Sequence, residues 1–160
     1  MASHSFMKVV IGRADKVYFV GLLNKGVPAK VDTGAYRCAV HAENIREEKG
    51  VLYFDLLEGH PTQSKGKSLK RKSFNKVRIE NSFGDEEERY EVKLRVKLGH
   101  KIFTAPFTLA NRSKKTFPIL LGRNILNRRF LVDTSYTAVN RKKLIESFGD
   151  RELDEEEAEG

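Results

Sequence analysis

From Tyr90 to Leu98 the chain alternates a residue suited to a core with one suited to water: Tyr-Glu-Val-Lys-Leu-Arg-Val-Lys-Leu. Successive side chains of a strand point to opposite faces, so this period of two predicts a strand with one buried and one solvated face. Gly99-His100-Lys101 supplies a tight turn, and residues 102–109 return as the partner strand. A single hairpin is marginal in water, so its apolar face demands more strands. Candidates are Val9-Val10-Ile11, residues 17–23 after a turn at residues 12–16, and residues 27–31 after an Asn24-Lys25-Gly26 turn. Residues 51–57, 74–80, 118–122 and 130–133 complete the set. Residues 39–48 read as a short helix or irregular segment, residues 58–73 as a polar, basic loop, and residues 81–87 as a turn. Short helices are expected over residues 123–129 and 141–148. Short strands at regular spacing with tight turns predict a mostly β barrel or sandwich.

The length of 160 residues suits one domain with a real core. We place that domain at residues 1–150, followed by an acidic, disordered tail at 151–160. The formal net charge of +8 conceals the division. The last ten residues hold six acids and one Arg, so residues 1–150 carry a net +13. A basic domain attracts nucleic acid, anionic membranes or acidic peptides. No apolar run approaches the roughly 20 residues of a membrane helix, and the start lacks a signal-peptide apolar region. With a single cysteine, Cys38, no internal disulfide is available, so the cytoplasm is the expected compartment.

Chemistry concentrates in Ala29-Lys-Val-Asp-Thr-Gly-Ala-Tyr-Arg-Cys-Ala-Val-His41. Asp32-Thr33-Gly34 closes an apolar strand, a pattern that by itself also describes an ordinary Asp turn. About ninety residues later comes Pro118-Ile-Leu-Leu-Gly-Arg-Asn-Ile-Leu126. Together with Ala35, this pair of motifs resembles the retropepsins, the dimeric aspartic proteases. A closer resemblance is to a bacterial retropepsin-like family labelled "ATP-dependent zinc protease" and associated with a ribosomal-protein glutamate ligase. It is carried by Ala39-Val40-His41, Phe107-Thr-Leu-Ala-Asn-Arg-Ser113, Leu121-Gly122-Arg123 and Phe130-Leu-Val-Asp133, and runs from about residue 8 to about residue 140.

The resemblance implies a closed retropepsin-like β barrel with one Asp-Thr-Gly lobe per chain, a flap hairpin and a short C-terminal helix. It also implies an aspartic endopeptidase that works as a homodimer. Two carboxylates about 3 Å apart share one proton because both cannot ionise. The ionised one takes a proton from water, while the protonated one polarises the scissile carbonyl. By resemblance Asp32 is the catalytic carboxylate, Thr33 bonds across the two-fold axis, and Gly34 and Ala35 leave room for substrate. Leu121 and Gly122 carry the strand that crosses behind the Asp loop. The flap falls on residues 74–95, with Asn81, Ser82, Phe83 and Gly84 at its tip as substrate contacts. One departure stands out. Tyr36, followed by Arg37, occupies the place of an Asp that in retroviral proteases pairs with the later arginine. Arg123 must then bond elsewhere, to Asp133 or to a substrate carboxylate, and Arg37 and Arg123 are both candidate substrate contacts.

Other signals are weaker. Cys38-Ala-Val-His41 is half of a zinc spacing, but His4, His60 and His100 have no ligand at short spacing, so no metal is expected. The run from Gly59 to Gly66-Lys67-Ser68 has six residues between its glycines where a phosphate loop needs four, so no nucleotide cofactor is expected either. Lys65, Lys67, Lys70, Arg71, Lys72, Lys76 and Arg78 form a basic run that lacks the stacking-aromatic and glycine pattern of single-strand nucleic-acid modules, which disfavours nucleic acid. An acidic or glutamate-rich peptide substrate fits the charge better, with the acidic tail as a screen or pseudo-substrate. A rival from another class is a non-catalytic basic module of the same fold that recruits a ribosomal or nucleic-acid partner.

Overall fold

The structure, a computed structural model, describes residues 7–63, 65–80 and 83–148. The tail at 151–160 and the expected flap residues Asn81 and Ser82 lie outside the described residues. The alternating segment is the longest strand, β8 (Glu86–Leu98), paired in antiparallel register with β9 (Lys101–Ala110). Val92, Leu94, Val96 and Leu98 are each 1% exposed, while Lys93, Arg95 and Lys97 face water. Val96 lies opposite Phe103, Leu94 opposite Ala105 and Val92 opposite Phe107, so apolar pairs stack along one face. Burial of each large side chain stabilises the fold by about 1.5–3 kcal/mol.

The remaining strands wrap this hairpin. They are β1 (Val9–Ile11), β2 (Ala14–Phe19), β3 (Val27–Val31), β4 (Cys38–Glu48), β5 (Val51–Leu56), β6 (Lys67–Arg71), β7 (Asn75–Glu80), β10 (Ile119–Leu121) and β11 (Phe130–Val132). Helices α1 (Arg123–Leu126) and α2 (Arg141–Phe148) are short. In the main sheet the order β10-β3-β2-β8-β9-β4 is closed by β10 pairing back onto β4, which makes a six-strand barrel. Closure leaves these six strands without a free edge. Strands β5 and β6 extend the sheet beyond β4, and β7 forms a hairpin with β8. A separate two-stranded parallel sheet joins β1 to β11. A small cluster of Ala14, Phe117, Val139 and Leu144 seats α2.

Three local expectations are corrected. Residues 39–48 belong to β4 and are not helical. The run from Cys38 to Ala42 is fully buried and lies between β9 on one side and β10 on the other. It therefore lacks the polar alternation that marks a half-exposed strand. The basic loop contains a strand, β6, at the open edge of the sheet, where its lysines remain in water. Gly66-Lys67-Ser68 thus runs into a strand. Finally, residues 12–16 are not a turn throughout: β2 starts at Ala14 and ends at Phe19, and Gly21, at φ 75°, makes the turn that follows. Among the described residues no helix is long and apolar enough to cross a membrane.

Candidate active site

Asp32 immediately follows β3, and its loop is clasped by the chain ninety residues later. Strand β10 lies between β3, to which it is parallel, and β4, to which it is antiparallel. At its end the Asp32 N–H donates to Leu121 O at 2.9 Å. Arg123 N–H donates to Ala35 O at 2.8 Å and Asn124 N–H to Tyr36 O at 2.9 Å. Arg123 Nη1 adds a bond to Thr33 O at 3.0 Å. The carbonyls of the loop are thus held by the segment that follows Gly122. Inside the loop, Gly34 N–H donates to Asp32 Oδ1 at 2.9 Å and fixes the carboxylate. The other oxygen, Oδ2, has no partner among the described residues.

The need for glycine at 122 is steric. A Cβ there would lie 2.5 Å from Arg37 O and 2.7 Å from Tyr36 O, closer than such atoms approach. Leu121 is fully buried, while Asp32 is half-buried and Thr33 is exposed. Beneath the loop Cys38 adds an internal tie. Its thiol donates to Asn124 Oδ1 at 2.9 Å and its sulfur accepts from Gly122 N–H at 3.1 Å. Burial pushes the thiol pKa up to about 12, so the sulfur stays protonated and acts as a small buried group.

Cys38 and His41 are three residues apart on β4, which puts them on opposite faces of the strand. His41 Nδ1 accepts from Arg112 N–H at 2.9 Å, so Nε2 carries the proton and donates to Glu58 O at 2.8 Å. His60 lies edge-on to His41, with ring centres 5.3 Å apart. Its Nδ1 accepts from Thr62, and its Nε2 donates to Lys115 O at 2.9 Å. Both rings are buried and neutral, and they tie the segments after β5 and β9 to β4. Burial lowers the pKa of each, that of His60 to about 4.

A cavity of about 350 Å³ opens between the Asp loop and the β7–β8 hairpin. Ala35, Tyr36, Arg37, Ala39, Thr108 and Leu120 line it from the barrel; Arg78, Ile79, Glu80 and Arg89 line it from the hairpin. Of the two expected arginine contacts, Arg37 has its charge matched by Glu91 at 2.8 Å, with the glutamate side chain 9% exposed. Arg123 does not pair with Asp133, whose carboxylate takes Ser135. It bonds Thr33 O and lies 5.9 Å from the centre of the Tyr36 ring, so an aromatic face stands where an acid was expected. At the hairpin tip Phe83 is 89% exposed and Gly84 has φ 83°. A larger hollow, about 500 Å³, lies on β4, β5 and β6, where Asp55 already accepts from Asn44 and Ser68. Sequence reasoning missed Asn124, Glu91, Arg128 and Arg129. The clustered charges of Arg123, Arg128 and Arg129 were visible, but the partners of Arg37 and Cys38 lie 54 and 86 residues away.

A closed barrel whose Asp-Thr-Gly loop is clasped by a strand threaded between its own neighbours defines the retropepsin-like class, present here as one lobe. Residues 10–143 match the family described as RimB-like, retropepsin-like aspartic endopeptidase RimB, and the chain belongs to this family. It is 33% identical over 135 residues to a Shewanella pealeana protein named probable alpha-L-glutamate ligase, covering 80% of this chain and 29% of that protein. A Desulfotalea psychrophila protein of the same name is 29% identical over 163 residues, or 99% of this chain and 35% of the relative. The chain therefore spans about a third of the curated relatives it matches. The crystal structure of Lpg0085 from Legionella pneumophila, of unknown function, is similar with a TM-score of 0.65 and 32% identity. The match covers 82% of this chain and 97% of the other.

Proposed function

We propose that the chain is one half of a homodimeric aspartic endopeptidase. The observation that carries this reading is the Asp32 loop. It is held by backbone hydrogen bonds, borders the cleft cavity through Ala35 and Tyr36, and presents just outside that cavity's wall a single carboxylate with one oxygen uncommitted. One carboxylate cannot act as base toward water and as acid toward the carbonyl in the same step. A second copy related by a two-fold axis supplies the other. With one proton shared between them, the ionised Asp32 takes a proton from the attacking water and the protonated one donates to the scissile carbonyl oxygen. Thr33 braces the loops across the axis, and Gly34 and Ala35 admit the peptide backbone. The β7–β8 hairpin, with the exposed Phe83 and Gly84 at its tip, closes over it and excludes water. Val10 and Leu131 offer an apolar face for the second copy: they lie opposite each other in β1 and β11 and are 52% and 53% exposed.

The basic surface and the names of the relatives suggest the substrate class. Equivalent segments occur within proteins named glutamate ligases, and we infer that this chain cleaves acidic or glutamate-rich peptides in the cytoplasm. Attraction at long range makes cleavage of such peptides fall as salt rises. A second reading is favoured by one observation, that the relatives carrying this segment are named ligases and not proteases. On that reading the chain is a basic module that recruits a partner without cutting it. Hydrolysis of a peptide library by the natural chain, lost in Asp32→Asn, selects the peptidase. Hydrolysis by neither, with salt-sensitive partner binding by both, selects the module.

A further inference from the structure

Three arginines meet beside Tyr36, away from the cleft cavity. Arg123, Arg128 and Arg129, with Tyr36, Asn124 and Asn127, line a hollow of about 400 Å³ that has no acidic residue in its wall. Among the described residues none of the three guanidinium groups pairs with a carboxylate. Two are nevertheless held in place. Arg123 bonds Thr33 O, and Arg129 Nη1 donates to Asn124 O at 3.3 Å and Ile125 O at 3.1 Å while lying 4.5 Å from the centre of the Phe103 ring. Carbonyls and ring faces orient a guanidinium without cancelling its charge. Arg128 is exposed, has no hydrogen bond or ion pair among the described residues, and sits at φ 69° in the turn from α1 to β11.

The hairpin side of the cleft is the reverse. On the hairpin Arg78 is matched by Glu86 and Arg89 by Glu87, while Glu91 of β8 takes Arg37 from the barrel side. Glu80, Asp85, Glu86, Glu87 and Glu88 are exposed there. An anionic group is repelled from the hairpin and attracted to the hollow. Tyr36 lines both the cleft cavity and the hollow, so a peptide leaving the cleft past Tyr36 reaches the arginines.

We propose that the hollow is a carboxylate-binding subsite, in which Arg123 and Arg128 take the side-chain carboxylate of an acidic residue in a peptide lying in the cleft. The planar guanidinium fork matches a carboxylate in a way that an amide does not. The course of the peptide rests on the peptidase reading; the oxyanion chemistry rests on the arginines alone. Inorganic phosphate offers the same chemistry without a peptide.

The test uses the full chain carrying Asp32→Asn, so that no peptide is consumed and hydrolysis plays no part. Calorimetric titration compares peptides that differ only by Glu or Gln at each position in turn, beside inorganic phosphate alone. At one position Glu should bind about tenfold more tightly than Gln, the scale of a charge-assisted bond. Arg128→Gly suits the left-handed backbone, and it should bring that ratio toward one; Arg123→Gln should do the same. Phosphate should compete with the Glu peptide. The absence of any Glu preference overturns the proposal, as does a preference that survives both substitutions. Phosphate binding lost in both variants, with no peptide preference, overturns it in favour of a free anion. A retained Glu preference in a chain that, with Asp32 intact, cleaves nothing would sink the peptidase reading and leave the subsite in place.

Discussion

Asp32 is held by its neighbours' backbone more than by side chains, so the vulnerable residues around it are those that let the backbones meet. Gly122 is the clearest. Any side chain there drives into Arg37 O and into Tyr36 O, which already accepts from Asn124 N–H. Gly122→Ala should destabilise the fold by about 1–3 kcal/mol, the range for overpacking a filled site, as read by urea unfolding. Cys38 makes a second prediction. A buried thiol with its pKa pushed up to about 12 presents almost no thiolate near neutrality. Iodoacetamide should leave Cys38 unmodified in the folded chain and label it once urea unfolds the protein. Labelling of the folded chain at the rate of a free thiol contradicts the described packing.

At the scale of elements, the sequence was legible wherever a strand had one wet face. Residues 92–98 show the alternation because Lys93, Arg95 and Lys97 are outside, whereas Glu91, expected in water, is buried against Arg37. β4 was misread because Cys38 to Ala42 is covered on both faces, and β6 because its charges suit an open sheet edge as well as a loop. The Asp-Thr-Gly and Leu-Gly-Arg motifs were legible as a pair because the barrel brings β3 and β10 side by side. The partners of Arg37 and Arg123 were not, since a charge in sequence does not say which distant acid or carbonyl it meets. The two buried histidines tie three elements together, which gives them a pH signature. Each has a folded pKa lowered by burial, that of His60 to about 4, against about 6.5 for an unperturbed ring. Glu43, 3.6 Å from His41 Nε2, opposes the shift there, and Arg112 reinforces it. The unfolded chain therefore binds protons first as pH falls. For His60 the contribution is fully present above about pH 6.5 and drains between there and about pH 4, at up to about 1.4 kcal/mol per pH unit, and that of His41 drains in the same direction as pH falls below about 6.5. Urea midpoints measured from pH 7.5 to 4 should fall accordingly, and His60→Gln should flatten the decline.

A catalytic pair built from one Asp32 per chain needs two copies of the molecule. The proposed contact face is the exposed apolar pair of Val10 and Leu131 on the small β1–β11 sheet. Leu131→Asp should weaken self-association in sedimentation and lower activity most at high dilution, without lowering the unfolding midpoint of the monomer. Mixing is a further consequence. An excess of Asp32→Asn chains should draw natural chains into inactive mixed dimers and suppress hydrolysis well beyond simple dilution. The measurement that bears most directly on the central claim is hydrolysis of a peptide library by the natural chain and by Asp32→Asn, purified in parallel. The replacement is nearly isosteric, so fold and self-association should persist while the rate falls by at least about a thousandfold, the scale of losing a general acid–base pair. Equal hydrolysis by the two chains would contradict the claim that Asp32 is half of the catalytic pair.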